Sequence, residues 1–78
     1  MTDHRLNSRF LAALRHDQIK IYDESKMVLS AHQICSQLAA GLSHDDVAAE
    51  IRRTGAFTPL GVFALIYDSA TFYCPQYQ

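Results

Sequence analysis

No stretch of this 78-residue chain is apolar for the roughly 20 residues that a helix needs to cross a bilayer, so no membrane-spanning helix is expected. The opening residues, MTDHRLNSRF, have no apolar core of the kind a signal peptide carries. The chain therefore reads either as cytosolic or as a mature exported domain without its leader. An excess of one charge is missing too. Seven Lys and Arg stand against eight Asp and Glu, for a formal net charge of −1. The basic residues are spread out, which leaves no footprint for nucleic acid and no polybasic segment for an anionic membrane. There are only two cysteines, too few for a disulfide-dense scaffold and enough for one staple. Internal repeats and low-complexity stretches are absent.

What is present is a folding composition. The apolar share is 49%, too high for an intrinsically disordered chain. The length allows one domain, expected over residues 1–78. A core of this size is marginal alone, and small domains of this kind often need a staple.

Every periodic segment steps by three or four, so the spacing predicts an all-α fold, a small four-helix bundle. The first helix is expected from about Asp3 to His16, with Leu6, Phe10 and Leu14 on one stripe beside Ala13. In the segment DQIKIYDES, Ile19 and Ile21 alternate with polar residues, as a short extended link would, and Asp23 or Ser25 can cap the next helix. That second helix is expected from about Glu24 to Ala40. Met27, Ala31, Ile34 and Leu38 form its stripe, widened by Val28 and Cys35, and Gly41 ends it. Ser43 and Asp46 make a near capping box for a short third helix, with Val47 and Ile51 inward and Gly55 as its stop. Thr58 caps the fourth helix, with Pro59 in the first position. Leu60, Phe63, Tyr67, Ala70 and Cys74 fall on one seam, and Val62, Leu65, Ile66 and Phe72 make the other sides apolar. A helix apolar nearly all round is expected at the centre of the bundle. Tyr67 or Tyr73 is expected in the core, and Tyr77, beyond Pro75, in a flexible tail, with a small contact surface as the alternative.

Cys35 lies near the end of the second helix and Cys74 at the end of the fourth. With the second helix running up, the third down and the fourth up, both cysteines reach the same end on apolar faces that should meet. A disulfide between them closes a loop of about forty residues, worth roughly 4 kcal/mol in the chain-entropy model. The competing reading is two buried free thiols in a cytosolic protein.

The remaining polar clusters have ordinary explanations. His32 and Cys35 make H-x-x-C on one helical face, but zinc wants three or four protein ligands. His44, Asp45 and Asp46 sit at a helix start, where capping accounts for them. Asp17, Asp23 and Glu24 lack the spacing of a calcium loop. No catalytic residue, metal ligand or cofactor site is therefore assigned, and no enzyme is expected. The segment VAAEIRRTGAFTPLGVFAL has the outline of a helix-turn-helix. Its second helix offers Leu, Val, Phe, Ile and Tyr where a recognition helix needs Arg, Lys, Asn or Gln, so nucleic acid is not an expected partner.

Four pieces of the chain resemble a family of small actinobacterial, mainly mycobacterial, proteins of unknown function, DUF732. FLAAL (Phe10 to Leu14) is similar to its first helix motif, and IKIYDESKMVLSAHQIC to its linker and second helix. Cys35-Ser36-Gln37-Leu38 followed by Gly41-Leu42-Ser43 resembles its C-x-x-L-x-x-G-x-S signature, and Tyr73-Cys74-Pro75 its closing Y-C-P. The chain departs from the pattern at Gln18, where the family often has Gly, and at Ala31, where Gly is common. The resemblance implies an α-helical domain, usually exported behind a signal peptide, with a cysteine pair that matches Cys35 and Cys74. It implies no established catalytic activity.

The resulting expectation is an exported helical domain with one disulfide, Cys35 to Cys74, and a binding or structural role in the cell envelope or extracellular space. Its partner is unknown, a lipid or a protein. A saposin-like protein that interacts with lipid or membrane is the alternative, and a helix-turn-helix regulator the second alternative.

Overall fold

Asp23 and Thr58, each with extended backbone, start two of the four helices by accepting hydrogen bonds from amides that have no partner within the helix. The computed structural model describes residues 4–78. Its helices are α1 (His4–His16), α2 (Glu24–Ala39), α3 (His44–Arg52) and α4 (Pro59–Tyr73), followed by a 3₁₀ turn (Pro75–Tyr77). No strand occurs among the described residues. The expected start of α1 at Asp3 lies outside them.

The local devices are those the residue types dictate. Asp23 Oδ1 accepts from the Lys26 amide at 3.1 Å, so Asp23 and not Ser25 is the cap of α2. Ser43 and Asp46 form a full capping box: the Asp46 amide donates to Ser43 Oγ at 3.1 Å and the Ser43 amide to Asp46 Oδ2 at 3.2 Å. Thr58 Oγ1 accepts from the Gly61 amide at 3.0 Å, with Pro59 at the first helical position. Helix α2 closes on Gly41, at φ 101°, with the Leu42 amide bonded back to the Gln37 carbonyl at 3.1 Å. Helix α1 closes in the same way, yet the left-handed position is filled by Gln18, at φ 64°. The Gln18 amide reaches Arg15 O and the Ile19 amide reaches Leu14 O, each at 3.0 Å. A left-handed position of this kind favours glycine, which is what the resemblance implied for position 18.

Helix α4 is the centre of the bundle and packs against α1, α2, α3 and the closing turn. It lies antiparallel to α1, since contacts pair rising numbers on one with falling numbers on the other. Phe10 meets Tyr73 and Phe72 edge-on, with ring centroids 5.2 and 6.4 Å apart, and Ile19 packs beside Gly61. The Tyr73 hydroxyl donates to Asn7 Oδ1. The core comprises Phe10, Leu11 and Leu14 from α1, Met27, Ala31, Ile34 and Leu38 from α2, Val47 and Ala48 from α3, and Val62, Leu65, Ile66 and Ala70 from α4, with Ile19 from the link.

Two expectations about burial are corrected. The seam Leu60, Phe63, Tyr67 does not face the core: these residues are 83%, 45% and 59% exposed. The buried face of α4 is instead Val62, Leu65, Ile66, Ser69 and Ala70, a set spaced by three and four along the helix. Three short neighbours cannot enclose a fourth helix, and the side they leave open is this seam. Only its far end, Ala70 and Cys74, turns inward. Tyr77 is not in a loose tail. Pro75 starts a 3₁₀ turn, and His44 Nε2 donates to the Tyr77 carbonyl at 2.7 Å.

Candidate functional site

The cysteines are joined. Cys35 and Cys74 form a disulfide with their Cα atoms 5.9 Å apart, inside the usual range, and it ties α2 to the residue that ends α4. Cys35 Sγ lies 3.6 Å from the Ser69 carbonyl oxygen. A disulfide sulfur carries no proton, so this is a packing contact. The same bond separates His32 from Cys35 as a ligand pair: the sulfur is committed to Cys74, and the His32 ring lies against Tyr73, with centroids 4.6 Å apart.

The acidic residues weighed as ligands or catalysts are dispersed into structural tasks. Asp46 completes the capping box and His44 holds the closing turn. Asp23 caps α2, and Glu24 Oε2 pairs with the Arg15 guanidinium at 2.6 Å. No group of three or more His, Cys, Asp or Glu side chains that could hold a metal occurs among the described residues.

Two features remain that could carry function. The first is the outward side of α4. Leu60, Phe63 and Tyr67 sit on successive turns and are open to solvent. The Arg52 guanidinium, from the last turn of α3, lies 5.3 Å from the Phe63 ring centroid, within cation–π range. At the Leu60 end the stripe runs into a groove of about 420 Å³ lined by Ile19, Lys20, Tyr22, Phe57, Leu60 and Gly61. Tyr22 is 90% exposed at its edge. Aromatic rings, aliphatic side chains and two cations thus share one surface. A second groove, about 400 Å³ between α1 and α2, is more polar and is crossed by the Arg15–Glu24 ion pair.

The second feature is a carboxyl pair that the residue pattern did not bring forward. Asp68 is buried on α4, and its Oδ2 has no hydrogen-bond partner. Its neighbour is Asp17, just beyond α1. Burial, then the hydrogen bond with Asp17, then that residue's negative charge push the Asp68 carboxyl up from 3.8 to about 7. The signal was in the sequence: Asp68 is the one charged residue of α4, in a helix otherwise apolar on nearly every side. A charge in such a helix is either on its open side or buried with a purpose.

Three helices around a central α4, locked by one disulfide between α2 and the end of α4, define a small stapled helical domain. The chain belongs to the family described as "protein of unknown function (DUF732)", whose model matches residues 3–76. No curated protein and no solved structure matches the chain.

Proposed function

We propose that this protein is an exported binding domain of the cell envelope or extracellular space, and that it binds through the outward stripe of α4. The observation that carries the reading is the exposure of Leu60, Phe63 and Tyr67 in a row on the most apolar helix of the bundle. A contiguous apolar patch on a small domain marks a contact surface. The Cys35–Cys74 disulfide supports the export, since such bonds persist in oxidising compartments. The test compares the wild-type protein with a Leu60→Ser/Phe63→Ser variant, both expressed from the native reading frame, by immunoblotting of cytosol, envelope and culture fluid. Wild-type protein in the envelope and variant protein released to the fluid is the expected outcome. Recovery of the wild type in the cytosol overturns the export, and equal envelope retention of the two proteins overturns the role of the stripe.

A lipid surface is the second reading, favoured by Arg52 and Lys20 beside the aromatic stripe. Apolar and aromatic side chains with cations at their flank suit the boundary of an anionic bilayer. Helix opening of the saposin type is not required for this, because Phe63 is already exposed while Ile66 stays in the core. Flotation with phosphatidylglycerol vesicles at neutral and acidic pH tests it. Absence of protein from the lipid fraction at both leaves the plain binding role.

A further inference from the structure

Leu60, Phe63 and Tyr67 are spaced by three and then four residues, the interval at which one helix offers side chains to a second helix laid beside it. Helix α4 already uses another set, Val62, Leu65, Ile66 and Ser69, against its own neighbours. It therefore carries two faces patterned for helix packing, and the domain covers one of them. The open face also has relief. At one end lies the groove of about 420 Å³ with Phe57, Leu60 and Gly61 in its wall. Two turns away, about 10 Å along the helix axis, stands Tyr67, more than half exposed. A projecting ring and a recess large enough for a ring thus lie at opposite ends of one stripe.

We propose that the stripe is covered by a second copy of this chain. A two-fold axis sets the two α4 helices antiparallel, with Tyr67 of each copy seated in the groove beside Leu60 of the other. This rests on the reading of the stripe as a contact surface and names its partner.

The antiparallel sense follows from where the features stand. A two-fold contact uses the same surface on both copies, so each projection must meet a recess on that surface. Turning α4 end for end about the level of Phe63 carries Tyr67 onto Leu60 and Leu60 onto Tyr67. The phenol ring then rests on Leu60 and Phe57, and its hydroxyl reaches the polar edge of the groove, where Lys20 and Thr58 stand. Area fits as well. With Tyr22 at the groove's edge, the exposed parts of the four side chains offer roughly 600 Å² on each copy. Two copies then remove about 1,200 Å² from water, the size at which specific interfaces begin, so the dissociation constant should be on the order of micromolar. Charge does not oppose the contact. The stripe itself has none, since Asp68, the only charged residue of α4, is buried. Arg52 lies at the rim over Phe63, and a net charge of −1 sets up little repulsion between copies.

Sedimentation of the disulfide-intact protein from about 1 to about 500 μM tests the pairing. The mass in solution should rise with concentration from that of one chain to that of two. Tyr67→Ser and Tyr22→Ser alter exposed residues at the two ends of the contact, so both variants should keep the fold. Each should raise the concentration needed for pairing by about tenfold or more. A wild type that stays monomeric throughout overturns the pairing, and so does a dimer that neither substitution weakens. Monomers that float with phosphatidylglycerol vesicles overturn it too and give the stripe to a lipid surface. None of these results alters the comparison of envelope retention, so failure of the pairing and failure of the binding role are told apart.

Discussion

Cys35 and Cys74 are 39 residues apart in the chain and 5.9 Å apart between their Cα atoms, so one covalent bond fastens α2 to the point where α4 ends. Pro75 comes immediately after and turns the chain into its closing 3₁₀ turn. Cys35→Ser should destabilise the protein by about 2–5 kcal/mol, the usual cost of removing a native disulfide from a small secreted domain. Cys74→Ser should cost the same, since either change breaks the same bond, and the double variant should cost no more than a single one. Urea unfolding of the three variants checks this. Intact-mass measurement after alkylation of the unfolded, unreduced protein should find no free thiol.

The Asp68 carboxyl predicts an unusual pH profile. Its folded-state value, about 7, lies above the ordinary 3.8, so the folded protein binds the proton more tightly than the unfolded chain. Stability should therefore fall as pH rises through this window, and the loss should be complete above it. This slope is opposite to that of a salt-bridged aspartate. Asp68→Asn should flatten it, and should melt higher than wild type at alkaline pH. Calorimetric melting temperatures from acid to alkaline pH provide the check, and an unchanged slope in the variant would remove Asp68 as its source.

Gln18→Gly should stabilise the domain by up to about 1 kcal/mol. The left-handed region costs a residue with a Cβ roughly 1–2 kcal/mol, partly offset by the greater freedom glycine has in the unfolded chain. Chemical denaturation should show a higher midpoint with no change in slope. A lower midpoint would mean that the Gln18 side chain contributes more than its backbone costs.

Phe10 and Leu60 should respond in opposite ways to truncation. Phe10 is fully buried against Phe72 and Tyr73, so Phe10→Ala should cost about 3–5 kcal/mol through lost contacts and a cavity. Leu60 is 83% exposed, so Leu60→Ala should change stability by less than about 0.5 kcal/mol. Thermal melts of the two variants separate core from surface.

Most of the architecture could be read from residue types alone. Caps at Asp23, Ser43 and Thr58, the glycine stop at Gly41 and the proline start at Pro59 are local devices, and local chemistry dictates them. The cysteine pair was legible from the up-down-up course of α2, α3 and α4 together with the family resemblance, although the stripe assigned to α4 ahead of Cys74 proved to be open. The open side of α4 was not. A helix with apolar residues on every side carries no periodic signal to say which stripe its neighbours leave uncovered, so Leu60, Phe63 and Tyr67 read as core. Asp68 escaped for a related reason. Its burial depends on which side of α4 the other helices cover, and the charge that acts on it, Asp17, stands 51 positions earlier by number.

The bond between Cys35 and Cys74 also divides the chain topologically. It closes a covalent ring that contains the end of α2, all of α3 and all of α4. Helix α1 lies outside that ring and, apart from the backbone link of residues 17–23, is held to the other helices by non-covalent contacts. A protease that cuts at Arg52 or Arg53 would leave two pieces still tethered through sulfur. One that cuts at Lys20, in the exposed link, would leave α1 as a separate peptide seated on the rest. That peptide could dissociate and return, which makes α1 the detachable part of an otherwise locked molecule.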